Sequence, residues 1–216
     1  MLFEEADGIH LSMQGKSRPQ RGNGRKELRI GIAYEGWEPR YEGSEEYRTV
    51  GKTVFAGYHS GEEFQDLREA TLAAKYNMDK VRYRILNGDG ADWIRYEHEP
   101  KEGIFQLDPY HVSRNIIKNI KDKKARQQIK RWLKAGQFGK VYARIEAMKY
   151  QCDGLADEIE KLEELERYIK NNQDGIISYK DREGIEIPSP PKGLEYRTLG
   201  TIEKNVDIFA KRMKGG

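Results

Sequence analysis

LFEEADGIHLSM, residues 2–13, alternates in a way that decides how the rest of the chain is read. Phe3, Glu5, Asp7, Ile9, Leu11 and Met13 fall on one side of an extended segment, because successive side chains of a strand point to opposite faces. That side is apolar except for two carboxylates. A carboxylate on an otherwise apolar strand face costs several kcal/mol, on the order of a buried unpaired charge, unless something answers it. A bound divalent cation is one such answer and an arginine partner is another. Asp7 is the candidate ligand of this segment, and Glu5 shares its face as ligand or helper.

Working outward, residues 14–26 carry five basic residues and no acid, Lys16, Arg18, Arg21, Arg25 and Lys26, with glycine and proline that predict a hairpin loop. Leu28–Tyr34 reads as a second strand and Thr49–Tyr58 as a third. Gly61–Tyr76 places Phe64, Leu67, Thr71 and Leu72 at helical spacing. Val81–Asn87 is a fourth strand that ends at Gly88-Asp89-Gly90, where glycines allow close backbone approach and Asp89 becomes the second candidate ligand. Asp92 competes with it from a short helix expected over Ala91–Tyr96. Ile104–Leu107 is a fifth strand. The succession of three strands, helix, strand, helix and strand is the element order of a ribonuclease H-like α/β core.

Beyond Asp108-Pro109-Tyr110-His111 the pattern changes. Residues 110–173 are almost continuously helical, with Leu155, Ile159, Leu162, Leu165 and Ile169 forming an apolar stripe. A proline-bearing connector leads to a last amphipathic helix starting near Thr201, which carries Glu203 in its first turn. The helix dipole alone favours an acid there. The expected organisation is therefore a core over 1–109, an all-helical insertion with its connector over 110–195, and a final core helix over 196–216. His111 beside Asp108, with Arg114 and Asn115 one helical turn on, reads either as a structural hydrogen-bonding group or as a phosphate-contacting one. Trp37, Trp93 and Trp132 read as packing anchors.

Composition narrows the class. The chain has 216 residues, 35% charged and 37% hydrophobic, with a mean hydropathy of -0.91. A thin core with wide charged surfaces follows. The net charge is only +3, so a basic surface for nucleic acid must be local. No run approaches the roughly 20 apolar residues of a membrane span. The start has no signal-peptide character. Cys152 is the single cysteine, which excludes a disulfide framework and a cysteine-based zinc site. A cytoplasmic protein is expected.

The stretches EEADGIHLSMQGK, IGIAYEGW, ILNGDGADWI, FQLDPYHVSRNI and GTIEKNVDIFAKRMKGG resemble the catalytic part of insertion-sequence transposases of the Lre-two family, among the Mutator-like DDE transposases. The resemblance implies Asp7, Asp89 and Glu203 as a catalytic triad holding two Mg²⁺ or Mn²⁺ ions for DNA cleavage and strand transfer. It implies DNA contacts from His111, Arg114 and Asn115, with Asp108 in support. Lys16, Arg18, Arg21 and Arg25 are the expected DNA-contacting hairpin. The partners expected are transposon ends, target DNA and further copies of the chain. Such transposases usually carry a DNA-binding region before the first Asp and more sequence after the Glu helix, so a truncated enzyme is expected. The rival expectations are a non-catalytic DNA-binding or multimerisation remnant, and a ribonuclease H-like nuclease without strand transfer.

Overall fold

Residues 1–13, 24–95, 103–152 and 154–214 are described by the computed structural model of the chain. Their packing divides into two units, Met1–Phe105 with Pro188–Gly216, and Gln106–Ile187. The divisions fall before the boundaries at 109/110 and 195/196 expected from sequence.

The first unit is a mixed α/β unit. It contains β1 (Leu2–Ser12), β2 (Arg25–Tyr34), β3 (Gly36–Pro39), β4 (Tyr47–Val50), β5 (Thr53–Gly57) and β6 (Arg84–Gly88), and β7 (Gly103–Leu107) leads out of it. Five strands form one sheet in the order β5-β2-β1-β6-β7. β1 and β2 are antiparallel from Phe3↔Tyr34 to Ser12↔Arg25. β2 and β5 are antiparallel, and β1 and β6 run parallel from Leu2↔Arg84 to Glu5↔Asn87. The first half of β1 has a paired strand on each edge and helices over both faces, and Leu2 through Ala6 are all buried. Past Asp7 the alternation returns, with Ile9 and Leu11 buried and His10 and Ser12 exposed.

α1 (Gly61–Lys75) opens with a capping box in which the Ser60 side chain accepts from the Glu63 amide while the Glu63 carboxylate accepts from the Ser60 amide. Its inner face is Phe64, Arg68 and Leu72. α7 (Ile202–Lys214) packs on β1 and β2. Arg68 of α1 meets Glu4, while Glu5 receives the start of α7. Because Glu4 and Glu5 point oppositely, the two helices cover opposite faces of the sheet.

The helical unit holds α2 (Pro109–Asn119), α3 (Lys123–Lys134), α4 (Phe138–Gln151), α5 (Ala156–Asn171) and the single turn α6 (Gln173–Ile176). Asp108 and Asp122 cap α2 and α3 through their side chains. Ile116, Ile129, Leu133, Val141, Ile145 and Leu165 are at the centre of its apolar core. No helix among the described residues is long and apolar enough to cross a membrane.

Three expectations are corrected. Thr49–Tyr58 is not one strand: Gly51, at φ 66°, breaks it into β4 and β5, and β4 pairs with β3 in a separate two-stranded ladder. Ala91–Ile94 is a turn closed by the Ile94 amide on the Ala91 carbonyl, not a helix, and Tyr96 lies outside the described residues. Arg25 and Lys26 belong to β2 rather than to a loop. Lys16, Arg18 and Arg21 lie outside the described residues.

Candidate acidic site on the first strand

The site is built from where β6 stops. The parallel ladder ends at Glu5↔Asn87, and β1 runs on alone on that side. A crevice beyond the carboxyl end of a parallel strand is the usual place for a ligand in an α/β sheet. Gly88 makes the ending tight: a Cβ there would stand 2.5 Å from Ile94 Cγ2 and 3.4 Å from the Ala6 carbonyl oxygen. Gly90 takes φ 96°, a conformation that disfavours other residues. Between them Asp89 closes a turn by accepting from the Ala91 amide at 2.9 Å. Asp7 and Asp89 each lie two residues past the last paired residues, Glu5 and Asn87, and Asp89 does not join the group of ligand atoms within 4.8 Å of one another that contains Asp7.

Glu5 has a different job. Its carboxylate is 1% exposed and accepts from the backbone amides of Gly200 (2.8 Å), Thr201 (3.0 Å) and Ile202 (3.3 Å). It also accepts from the Tyr34 hydroxyl and from Asn87 Nδ2 at 3.2 Å. The first amides of a helix have no partner within the helix and carry the positive end of its dipole. A strand carboxylate thus serves as the cap of α7. Burial pushes the Glu5 carboxyl above its ordinary range, and the bonds from Tyr34, Thr201, Ile202 and Gly200 pull it part of the way back.

That seat fixes Glu203. Ile202 is buried beneath it, and Asn205 ties the helix further by donating to the Thr201 carbonyl at 2.9 Å and accepting from Lys52 Nζ at 3.1 Å. Glu203, next in line, brings a carboxylate oxygen within 4.8 Å of one on Asp7. Both are half-buried. Asp7 also accepts from the Gly8 amide at 2.7 Å. Two residues from distant parts of the chain are therefore brought together, with Asp89 at the adjoining strand end. A pair of half-buried, hard oxygen donors can hold a divalent cation of the Mg²⁺ or Mn²⁺ type.

The other candidates are placed by their own elements. Asp92 is exposed on a shallow depression beside Arg29 and Trp93. Arg25 is exposed on β2 opposite Ser12. On α2, Asp108 accepts from the Tyr110 amide at 2.9 Å, and His111 Nε2 stands 3.9 Å from its second oxygen. Asn115 donates to the His111 carbonyl within the same helix, and Arg114 is exposed. Trp37 is buried, and Trp93 and Trp132 are half-buried.

Sequence reasoning missed the opposite face of β1. Glu4, 1% exposed, accepts from Arg84 Nε at 2.7 Å and Nη2 at 3.1 Å, and Arg68 Nε lies 3.7 Å away. Arg84 also grips Glu69 at 2.8 and 2.7 Å. The available signal was Arg68 itself, four residues after Phe64 and four before Leu72 on the inner stripe of α1.

The whole chain, residues 1–216, matches the family described as "Uncharacterised protein family (UPF0236)" and belongs to it. A UPF0236 protein of Caldanaerobacter subterraneus subsp. tengcongensis is 30% identical over 199 residues, which cover 86% of this chain and 38% of that protein. Another from the same organism is 28% identical over 197 residues, 86% of this chain and 38% of the relative. The chain thus spans well under half the length of the curated relatives it matches.

Proposed function

From membership of the UPF0236 family as the premise, we propose that this chain carries the catalytic site of a DDE transposase, a metal-dependent enzyme that cleaves DNA and joins its 3′ end to a target. The observation that carries the reading is the approach of Asp7 and Glu203 to within 4.8 Å. Strand order supports it. Counting only the main sheet, the strands run third, second, first, fourth, fifth, with the second antiparallel to the first and the fourth parallel to it. We read that order as a ribonuclease H-like core. The helical segment lies in the chain between the fifth of these strands and the last helix.

Asp7 and Glu203 would hold the metal, with Asp89 completing the set. The donors fit, being carboxylate oxygens. A divalent pair supplies Lewis-acid polarisation of the phosphodiester and a more acidic attacking hydroxyl. The chain's own residues position it. Glu5 seats α7, the turn at Gly88–Gly90 aims Asp89, and β1 presents Asp7. Contacts to DNA by His111, Arg114, Asn115 and the residue 14–26 segment, with Asp108 in support, are part of the proposal. So are DNA ends, target DNA and further copies of the chain as partners, in the cytoplasm.

The test is a supercoiled-plasmid nicking assay with Mg²⁺ or Mn²⁺, paired with a joining assay on pre-cleaved ends of the element. Nicking that needs metal and disappears in Asp7→Asn and Glu203→Gln is the expected result. Nicking without joining would convert the reading to a hydrolytic nuclease. Metal-independent behaviour of wild type and both variants alike would sink it.

A further inference from the structure

Two settings for cations stand out in the helical unit. In the first, lysines are neutralised at 2.5 to 2.7 Å: Lys118 by Glu164, Lys121 by Glu158, Lys149 by Glu146 and Glu166, and Lys170 by Glu166. α3 is the second setting. Its twelve residues, KKARQQIKRWLK, include six basic ones and no acid. Ala125, Ile129 and Leu133 are buried in the unit's core. The opposite side exposes Lys124, Gln127, Arg131 and Lys134, spaced three, four and three residues apart along one stripe, with exposed Lys123 beside it. Among the described residues none of Lys123, Lys124, Arg131 and Lys134 makes an ion pair.

Helix stability does not explain the stripe. Arg131 and Lys134 sit in the last turn, where the dipole welcomes cations, but Lys123 and Lys124 sit in the first turn, where it opposes them. Like charges along one face also repel. The stripe extends about 15 Å at the rise of an α-helix, enough for three cations to meet a polyanion backbone. A lipid surface fits less well. An interfacial helix inserts its apolar face, whereas that of α3 is already occupied by its own core.

We propose that the exposed face of α3 is a sequence-independent binding surface for the phosphate backbone of duplex DNA. It deepens the proposed function by naming a surface that grips the substrate, and it rests on that reading only for the identity of the polymer.

The experiment measures binding of the full chain to random-sequence duplex DNA by fluorescence anisotropy across a salt series, in chelator so that no metal chemistry enters. Two triple variants with equal charge change are compared. One is Lys124→Gln, Arg131→Gln, Lys134→Gln, and the other is Lys118→Gln, Lys121→Gln, Lys170→Gln. The α3 triple is expected to lower the slope of log K against log salt by about 2.7, from roughly 0.9 per phosphate contact, and to weaken low-salt binding at least tenfold. The paired-lysine triple is expected to change affinity less than about threefold, because those cations are already partnered. Circular dichroism checks that both variants keep their helix content. Equal losses in both triples, no loss in either, or no salt-dependent DNA binding by the wild type overturns the proposal. So does α3-dependent binding to phosphatidylserine vesicles without α3-dependent binding to DNA. The nicking assay separates the two readings. A lowered slope with no metal-dependent nicking leaves the surface standing and the catalytic reading fallen. Asp7-dependent nicking with an unchanged slope does the reverse.

Discussion

Glu4 and Glu5 are neighbours on β1, equally buried, and they are answered in opposite ways. On one face Glu4 is gripped by Arg84 and approached by Arg68, with Glu69 completing the group. On the other, Glu5 is held by neutral donors: a tyrosine hydroxyl, a side-chain amide and three backbone amides. The first arrangement locks α1 to the sheet with full charges and leaves little for a ligand to do. The second locks α7 with dipoles, which orient a helix end without adding a cation to the side where Asp7 and Glu203 meet. Arginine would fix a carboxylate as firmly but would also compete with any metal for the acids beside it.

The contrast can be broken by substitution, and the arginine face should break hardest. Arg84→Met leaves Glu4 buried without its main partner and should cost about 3–5 kcal/mol in urea unfolding. The double variant Glu4→Met, Arg84→Met should recover most of that loss. A loss under about 1 kcal/mol for the single change would mean that Arg68 suffices. Glu5→Ala should come next, at about 2–3 kcal/mol, because several buried donors lose their acceptor. Its signature is local: hydrogen exchange at the amides of Gly200, Thr201 and Ile202 should speed up, while α1 stays protected. Uniform deprotection would show that the seat of α7 is not a separate feature.

Smaller effects sharpen the comparison. Asp7→Asn should change stability in chelator by less than about 1 kcal/mol, with a gain expected since a like charge near Glu203 is removed. Its larger effect should be on linkage, with the Mn²⁺-induced rise in melting temperature lost. An equal rise in wild type and variant would remove Asp7 from the metal set. The smallest effect is on pH. Burial raises the Glu69 carboxyl, but its bonds and charges from Arg84 and Arg68 outweigh this and hold it below its ordinary value of 4.5. A lowered folded pKa gives stability that is present above the unfolded value and lost as pH falls through the folded one. Glu69→Gln should therefore flatten the stability curve below pH 4.5, by a modest amount since Glu69 is half-exposed. An unchanged acid limb would leave Glu4 alone as the partner that matters to Arg84.

Much of this was legible in the chain. Period-two alternation gave β1 and β2, the glycine-flanked turn gave the end of β6, and apolar spacing gave the helices. Asp7 stood out because it broke an apolar strand face, whereas Glu203 suited the first turn of its helix and drew attention only together with Asp7 and Asp89. What stayed hidden depended on partners far along the chain. Glu5 looked like a ligand because nothing near it in sequence announces three amides at residues 200–202. The β3–β4 ladder was missed because Gly36–Pro39 is short and ends in proline, with no apolar alternation. The unpaired state of the α3 cations was invisible too, since pairing requires knowing which helices face each other.

The seat of α7 also sets an order of events. The Glu5 carboxylate and the amides it holds are separated by 195 to 197 residues. During synthesis at about 5–20 residues per second, roughly 10 to 40 seconds pass between the appearance of one and the other. Through that interval the first strand exists without α7, and every residue of the helical unit is made within it. The meeting of Asp7 with Glu203 therefore comes only after the helical unit has been made.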